Sequence, residues 1–204
     1  MKLKLPLLLL ITSALSSFAA STINLRNFSS AVVGVPIVDT VGDSLAVGSF
    51  FGNAGYFSTS LDFSTASVAD IQGAFIGVDT SPISGGTRNG LFTGQTFNGA
   101  FASGVAGSNA YIVVGNNADF SLATRLAVFD TGVVFTSPDS FGNSSQTIDA
   151  TSPLMVVFGT VRTVATQPNN LTGANYASGV VMVPEPSTLL LSALGVLALL
   201  RRKR

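Results

Sequence analysis

Cysteine, histidine and tryptophan are absent from all 204 residues, lysine occurs only at the two ends, and the single glutamate is Glu185. Each absence removes a chemistry. Without Cys or His the chain lacks the usual thiolate and imidazole ligands of zinc, the imidazole base of hydrolytic triads and any disulfide framework. Without Lys the body has no amine for a Schiff base. Positive charge is scarce as well: Lys2 and Lys4 open the chain and Arg201, Arg202, Lys203 and Arg204 close it. That leaves Arg26, Arg88, Arg125 and Arg162 in the body against nine aspartates, a net charge of −5 there. Scattered arginines on an acidic body give no electrostatic footprint for nucleic acid, so that partner class is set aside. The missing cysteines are compatible with export, because a domain of this length builds an adequate core without staples.

What is present is concentrated first at the ends. Met1 to Ala19 reads as a secretory signal peptide: Lys2 and Lys4 form the basic start, residues 5–15 the apolar run, and Ser17-Phe18-Ala19 a small-x-small site, with cleavage expected after Ala19. The apolar run is shorter than the ~20 residues a membrane span requires. The other end reads Val183-Pro184-Glu185-Pro186-Ser187-Thr188, then an uncharged, leucine-rich run over residues 189–200, then Arg201-Arg202-Lys203-Arg204. Two prolines flanking one residue are expected to stay out of sheets and helix interiors and so to hold an extended, accessible strip. Ser187 and Thr188 can cap a helix that satisfies its own backbone in lipid, and the four cations stop transfer on the cytoplasmic side. A transmembrane helix is therefore expected. At twelve residues it is short for a permanent span and suits a transient anchor.

These features resemble the PEP-CTERM sorting domain: a Pro-Glu-Pro motif, a hydrophobic helix and a terminal basic cluster, in that order, over residues 183 to 204. The resemblance implies recognition by an exosortase, a membrane-embedded cysteine transpeptidase-like enzyme, through Pro184, Glu185 and Pro186, with the cut bond near them. It also implies a Gram-negative host and, as a further partner, an exopolysaccharide-rich surrounding. The organisation that follows is a signal peptide over 1–19, an extracytoplasmic β-rich domain over 20–183 and a sorting tail over 184–204. The mature chain is expected to be held at the inner membrane by its tail and then to reach the cell surface or the outside.

Short apolar runs separated by Gly, Asn, Asp, Ser and Thr make the body all-β, a sandwich or jelly roll. Strands are expected at 22–28, 31–38, 45–51, 110–115, 125–130, 154–164 and 177–183, and turns at Gly52-Asn53, Gly85-Gly86, Gly115-Asn116-Asn117 and Gly142-Asn143. One short helix is expected over 64–75, where Val68, Ile71 and Phe75 share a face, with Ser64 as N-cap and Gly77 beyond its end.

Few residues carry candidate chemistry. Asp130-Thr131-Gly132 after apolar residues is the local signature of aspartic proteases, but two such carboxylates must share a proton and the chain has one copy. A strand-ending turn is the reading adopted. Asp39 and Asp43, and Asn116, Asn117 and Asp119, offer oxygen ligands that calcium takes, yet neither group has the spacing of an EF-hand, and both are read as solvated turns. Of the amphipathic aromatics that stack sugars only Tyr56, Tyr111 and Tyr176 are present. Asn27-Phe28-Ser29, Asn143-Ser144-Ser145 and Asn170-Leu171-Thr172 match the N-glycosylation pattern by chance composition. No cofactor and no metal is expected. The chain reads as a non-catalytic cell-surface or matrix protein, the alternative being a glycan-binding module or a hydrolase that uses paired aspartates.

Overall fold

The computed structural model describes residues 21–78, 82–84, 88–99, 104–137, 144–169 and 171–185. The signal segment with its cleavage site at Ala19, the turns expected at 85–86 and 142–143, Pro186, the apolar run 189–200 and the cluster Arg201 to Arg204 lie outside them. No helix among the described residues is long and apolar enough to cross a membrane.

The body is mostly β with one short α-helix. Its largest sheet has β10 (Val156–Phe158), β8 (Arg125–Val134), β7 (Asn109–Gly115), β3 (Phe51–Phe57) and β4 (Phe75–Gly77) in that order; β5 (Ile83–Ser84) pairs with β3 and β13 (Val183–Pro184) with β8. A second sheet places β1 (Ser21–Arg26) between β6 (Thr93–Gly99), antiparallel, and β9 (Ser144–Asp149), parallel. A third joins β11 (Thr160–Thr163), β12 (Ser178–Val181) and β2 (Ile37–Val38).

Period-2 alternation decides which side chains meet. Ile23, Leu25 and Ile148 of the second sheet share one core with Ala54, Ile112, Val114 and Phe129 of the large sheet and Val180 of β12. The opposite face of the large sheet, with Val113, Leu126 and Val128, is covered by Val68 and Ile71 of α1 (Val68–Ala74). The continuous apolar run Tyr111 to Val114 is explained by this: β7 is covered on both faces. Arg26 and Asp149 close the end of the β1–β9 pair with a two-pronged ion pair, Nε to Oδ1 at 2.7 Å and Nη2 to Oδ2 at 2.8 Å.

The helix starts three residues later than expected. Ser64 turns back on Asp62, giving both its N–H and its hydroxyl to Oδ1 (3.0 and 2.6 Å). Ser67 caps instead: its Oγ accepts from the Asp70 N–H, and the Asp70 carboxylate accepts from the Ser67 N–H, a reciprocal box. The end is set by Phe75, which turns extended to begin β4, so Gly77 belongs to a strand.

Candidate functional site

The C-terminal strip is where sequence and structure meet. Val183 pairs with Leu126 and Pro184 with Arg125 in antiparallel register on β8, and the Glu185 N–H donates to the Thr124 carbonyl at 2.7 Å. Pro184 therefore does join a sheet, contrary to expectation, and the reason is parity. Hydrogen-bonded and non-hydrogen-bonded positions alternate along an antiparallel ladder. With Glu185 opposite Thr124 hydrogen-bonded, Pro184 occupies the non-bonded position, where a missing N–H leaves no carbonyl of β8 without its donor. The strip is extended, as expected, and Pro184 and Glu185 are exposed, while Val183 is half-buried against Leu126's core. β10 and β13 lie along the same side of β8: β10 faces Val128 and Phe129, and β13 faces Arg125 and Leu126. Pro186 and the basic cluster lie beyond the described residues.

The other candidates resolve into local structure. Asp130, Thr131 and Gly132 lie inside β8 rather than at a strand end. Tyr111 faces Asp130 while its neighbour Ala110 faces Val133, which leaves Thr131 and Gly132 as a bulge. Gly132 takes φ +65°, its N–H donates to Asp130 Oδ1 at 2.9 Å, and the buried Thr131 hydroxyl donates to the Ala110 carbonyl at 2.5 Å. The tripeptide thus closes its own irregularity in the ladder.

Asp39 Oδ1 accepts from the N–H groups of Val41, Gly42 and Asp43, each at 2.9 Å, and Asp43 Oδ1 accepts from the Thr166 hydroxyl at 2.5 Å. In the second loop the side-chain Oδ1 of Asn116 accepts from the N–H groups of Thr124 and Arg125, that of Asn117 from the Asp119 N–H, and Asp119 Oδ1 from the Ser121 N–H and hydroxyl. Asp119 thereby caps the 3₁₀ turn Phe120–Leu122, whose neighbour Thr124 receives Glu185. Among the described residues no three acidic side chains gather where a metal ion could sit.

These carboxylates have a measurable consequence. The Asp43 N–H foremost holds Asp39 below the ordinary carboxylate value of 3.8, and serine hydroxyls do the same for Asp62, Asp70 and Asp119. A pKa lowered on folding stabilises the fold above the unfolded value, and that contribution is lost as pH falls through the folded value. The melting temperature is expected to hold above about pH 5 and to fall as pH drops below about 4. Asp39→Ala should flatten part of that fall; an unchanged slope would show that the amide cluster around Asp39 does not contribute.

The three tyrosines do not form one platform. Tyr176 is buried and its hydroxyl donates to the Ser30 carbonyl at 2.7 Å. Tyr56 and Tyr111 both line a groove of about 290 Å³, but Tyr56 packs toward the inner core and Tyr111 toward the outer one, edge-on to Phe57. A larger cleft of about 780 Å³ runs between α1 and the loop after β7, lined by Asn53, Gln72, Phe75 and Asp119 among others. Gln72 bridges it by donating to the carbonyls of Phe120 and Ala123 at 2.5 and 2.8 Å.

Neither a curated protein nor a solved structure matches the chain. Residues 183–204 match the family model described as the PEP-CTERM protein-sorting motif, and its first three residues are those that pair with or bond to the start of β8. The C-terminal tail of this protein is a PEP-CTERM protein-sorting motif.

Proposed function

We propose that the chain is an exported, non-catalytic cell-surface or extracellular-matrix protein, a sandwich-like β-body delivered and processed through its C-terminal tail. The observation that carries this reading is the sorting motif at 183–204, which begins on the body's last strand without an intervening linker. The tail would engage an exosortase-type enzyme through Pro184, Glu185 and Pro186. The apolar run 189–200 would hold the body at the inner membrane, with Arg201 to Arg204 on the cytoplasmic side. Outside, the acidic body would sit among exopolysaccharide.

The localisation is tested by fractionating cells that express the full chain or a form lacking Arg201 to Arg204. The full chain is expected in the membrane and then at the surface, and the shortened form is expected to leave the membrane unprocessed. Equal membrane retention of both would remove the stop-transfer role. The non-catalytic part is tested separately, by a glycan array and a hydrolysis screen on the exported protein. Saturable binding or turnover would replace it with the glycan-directed reading.

A further inference from the structure

The bond that is cut in the tail has no assigned position, and the β8 edge constrains it. Three consecutive residues are tied to the body: Val183 and Pro184 by pairing with Leu126 and Arg125, Glu185 by its N–H to Thr124. Processing enzymes take their substrates as extended, unpaired backbone, so bonds inside this paired stretch are shielded while it stays docked. Its side chains are another matter. Pro184 and Glu185 are exposed and, among the described residues, β13 pairs with no strand but β8, so the two residues can be read from outside without being lifted off.

The geometry points to a cut on the C-terminal side of Glu185, made while β13 remains on β8, so that Val183, Pro184 and Glu185 stay with the mature body. This rests on the reading that the tail is processed. In the step one peptide bond breaks: the acyl carbon on the body side passes to water, giving a carboxylate, or to an amine, giving a new amide. The amino group leaves on the apolar fragment. A second physical reason favours retention. Removing Val183 onward would strip Leu126 of its neighbour and expose its N–H and C=O groups together with the Thr124 carbonyl, an open edge on which another chain could add a strand. With β13 kept, that edge stays closed, and Pro184 offers no N–H to a newcomer on its outer side.

Two measurements on the full chain, in a host that supplies the processing enzyme, test this. Mass spectrometry of the C-terminal peptide of the mature protein is expected to find Val183-Pro184-Glu185 in it, ending in a free carboxylate or carrying an added amine. A mature end at Pro184 or earlier overturns the proposal. Finding only chains that run to Arg204 would instead remove the processing reading itself, and the position of the cut with it.

The second measurement uses Val183→Cys with Leu126→Cys. The two face each other, their separation suits a disulfide, and the chain has no other cysteine to compete. Oxidised and reduced forms of this one variant are expected to be processed within about twofold of each other, because the staple holds a strand that has no need to open. Processing at least about tenfold slower when oxidised would show that β13 must peel away first, and would overturn the proposal.

Discussion

Replacing Asn27 by alanine is expected to destabilise the fold by about 3–5 kcal/mol, measured by urea unfolding followed by circular dichroism. Asn27 is fully buried just after β1, and every polar atom of its carboxamide is in use. Nδ2 donates to the carbonyls of Val35 and Gly90, both at 2.9 Å, and Oδ1 accepts from the Phe92 N–H at 2.8 Å. The backbone of the same residue donates to the Phe92 carbonyl and accepts from the Val35 N–H. One side chain thus fastens the end of a central strand to the nearby segment at Val35 and to the sequence-distant one at Gly90 and Phe92. An alanine leaves the Phe92 N–H and the Val35 carbonyl without this partner in a site closed to water, at about 1–3 kcal/mol each. Aspartate has nearly the same shape but no N–H to give, and it adds a buried charge, so it should be no better than alanine.

The same geometry separates structure from modification. Asn27 begins one of the three glycosylation patterns, yet the nitrogen that would carry a glycan is buried and donates twice. Ser29→Ala destroys the pattern without touching these bonds, since Ser29 is exposed, and should stay within about 0.5 kcal/mol of the parent. An Asn27→Ala change costing less than about 1 kcal/mol would mean that the loops hold themselves without the carboxamide.

How much of this was readable in advance depends on whether burial left a mark on residue type. Strands β1, β7 and β8 are flagged by their Leu, Ile, Val and Phe, and the sorting tail by its order of proline, apolar run and cations. Strands β6 and β9 carry almost no such mark: Thr93 to Gly99 and Ser144 to Asp149 are mostly polar or glycine. They are recruited because they flank β1, and over residues 145–149 of β9 the buried side chain is that of Ile148. The segment 31–38 fails in the opposite sense. Val32 and Val33 look like strand residues but lie exposed in a turn; Gly34 makes an isolated bridge to Phe28, and a strand forms only at Ile37 and Val38. The single long strand expected at 154–164 is broken at Gly159, whose φ of +138° separates β10 from β11. At the candidate site, the strip's extension and exposure followed from its prolines. Its docking on β8 did not, because which edge lies open beside a strip is a property of the assembled sheet.

The largest displacement, β3, leads to the second strong effect. The strand lies at Phe51–Phe57 rather than 45–51, and the expected turn at Gly52-Asn53 is inside it, because its glycines serve close approach rather than bending. Gly55 lies between Tyr111 of β7 and Gly77 of β4. A Cβ there would press into the Ile76 carbonyl oxygen and come within 2.5 Å of Cζ of Phe75, so β4 and the Phe75 ring would both have to move. Phe75 packs at a tilt against Phe57 and edge-on against Phe120, which spreads the displacement through the aromatic cluster. Gly55→Ala should therefore cost about 2–4 kcal/mol, although alanine is ordinarily tolerated in a strand better than glycine. Gly73 supplies the comparison. It sits exposed in α1 with nothing within 4 Å of a new Cβ, so Gly73→Ala should gain about 0.5–1 kcal/mol from helix propensity alone. Thermal melts of the two variants should move in opposite directions from the parent. A Gly55→Ala protein that melts at or above the parent temperature would mean that β4 can retreat from β3 freely, and that glycine is not required by the packing of this sheet.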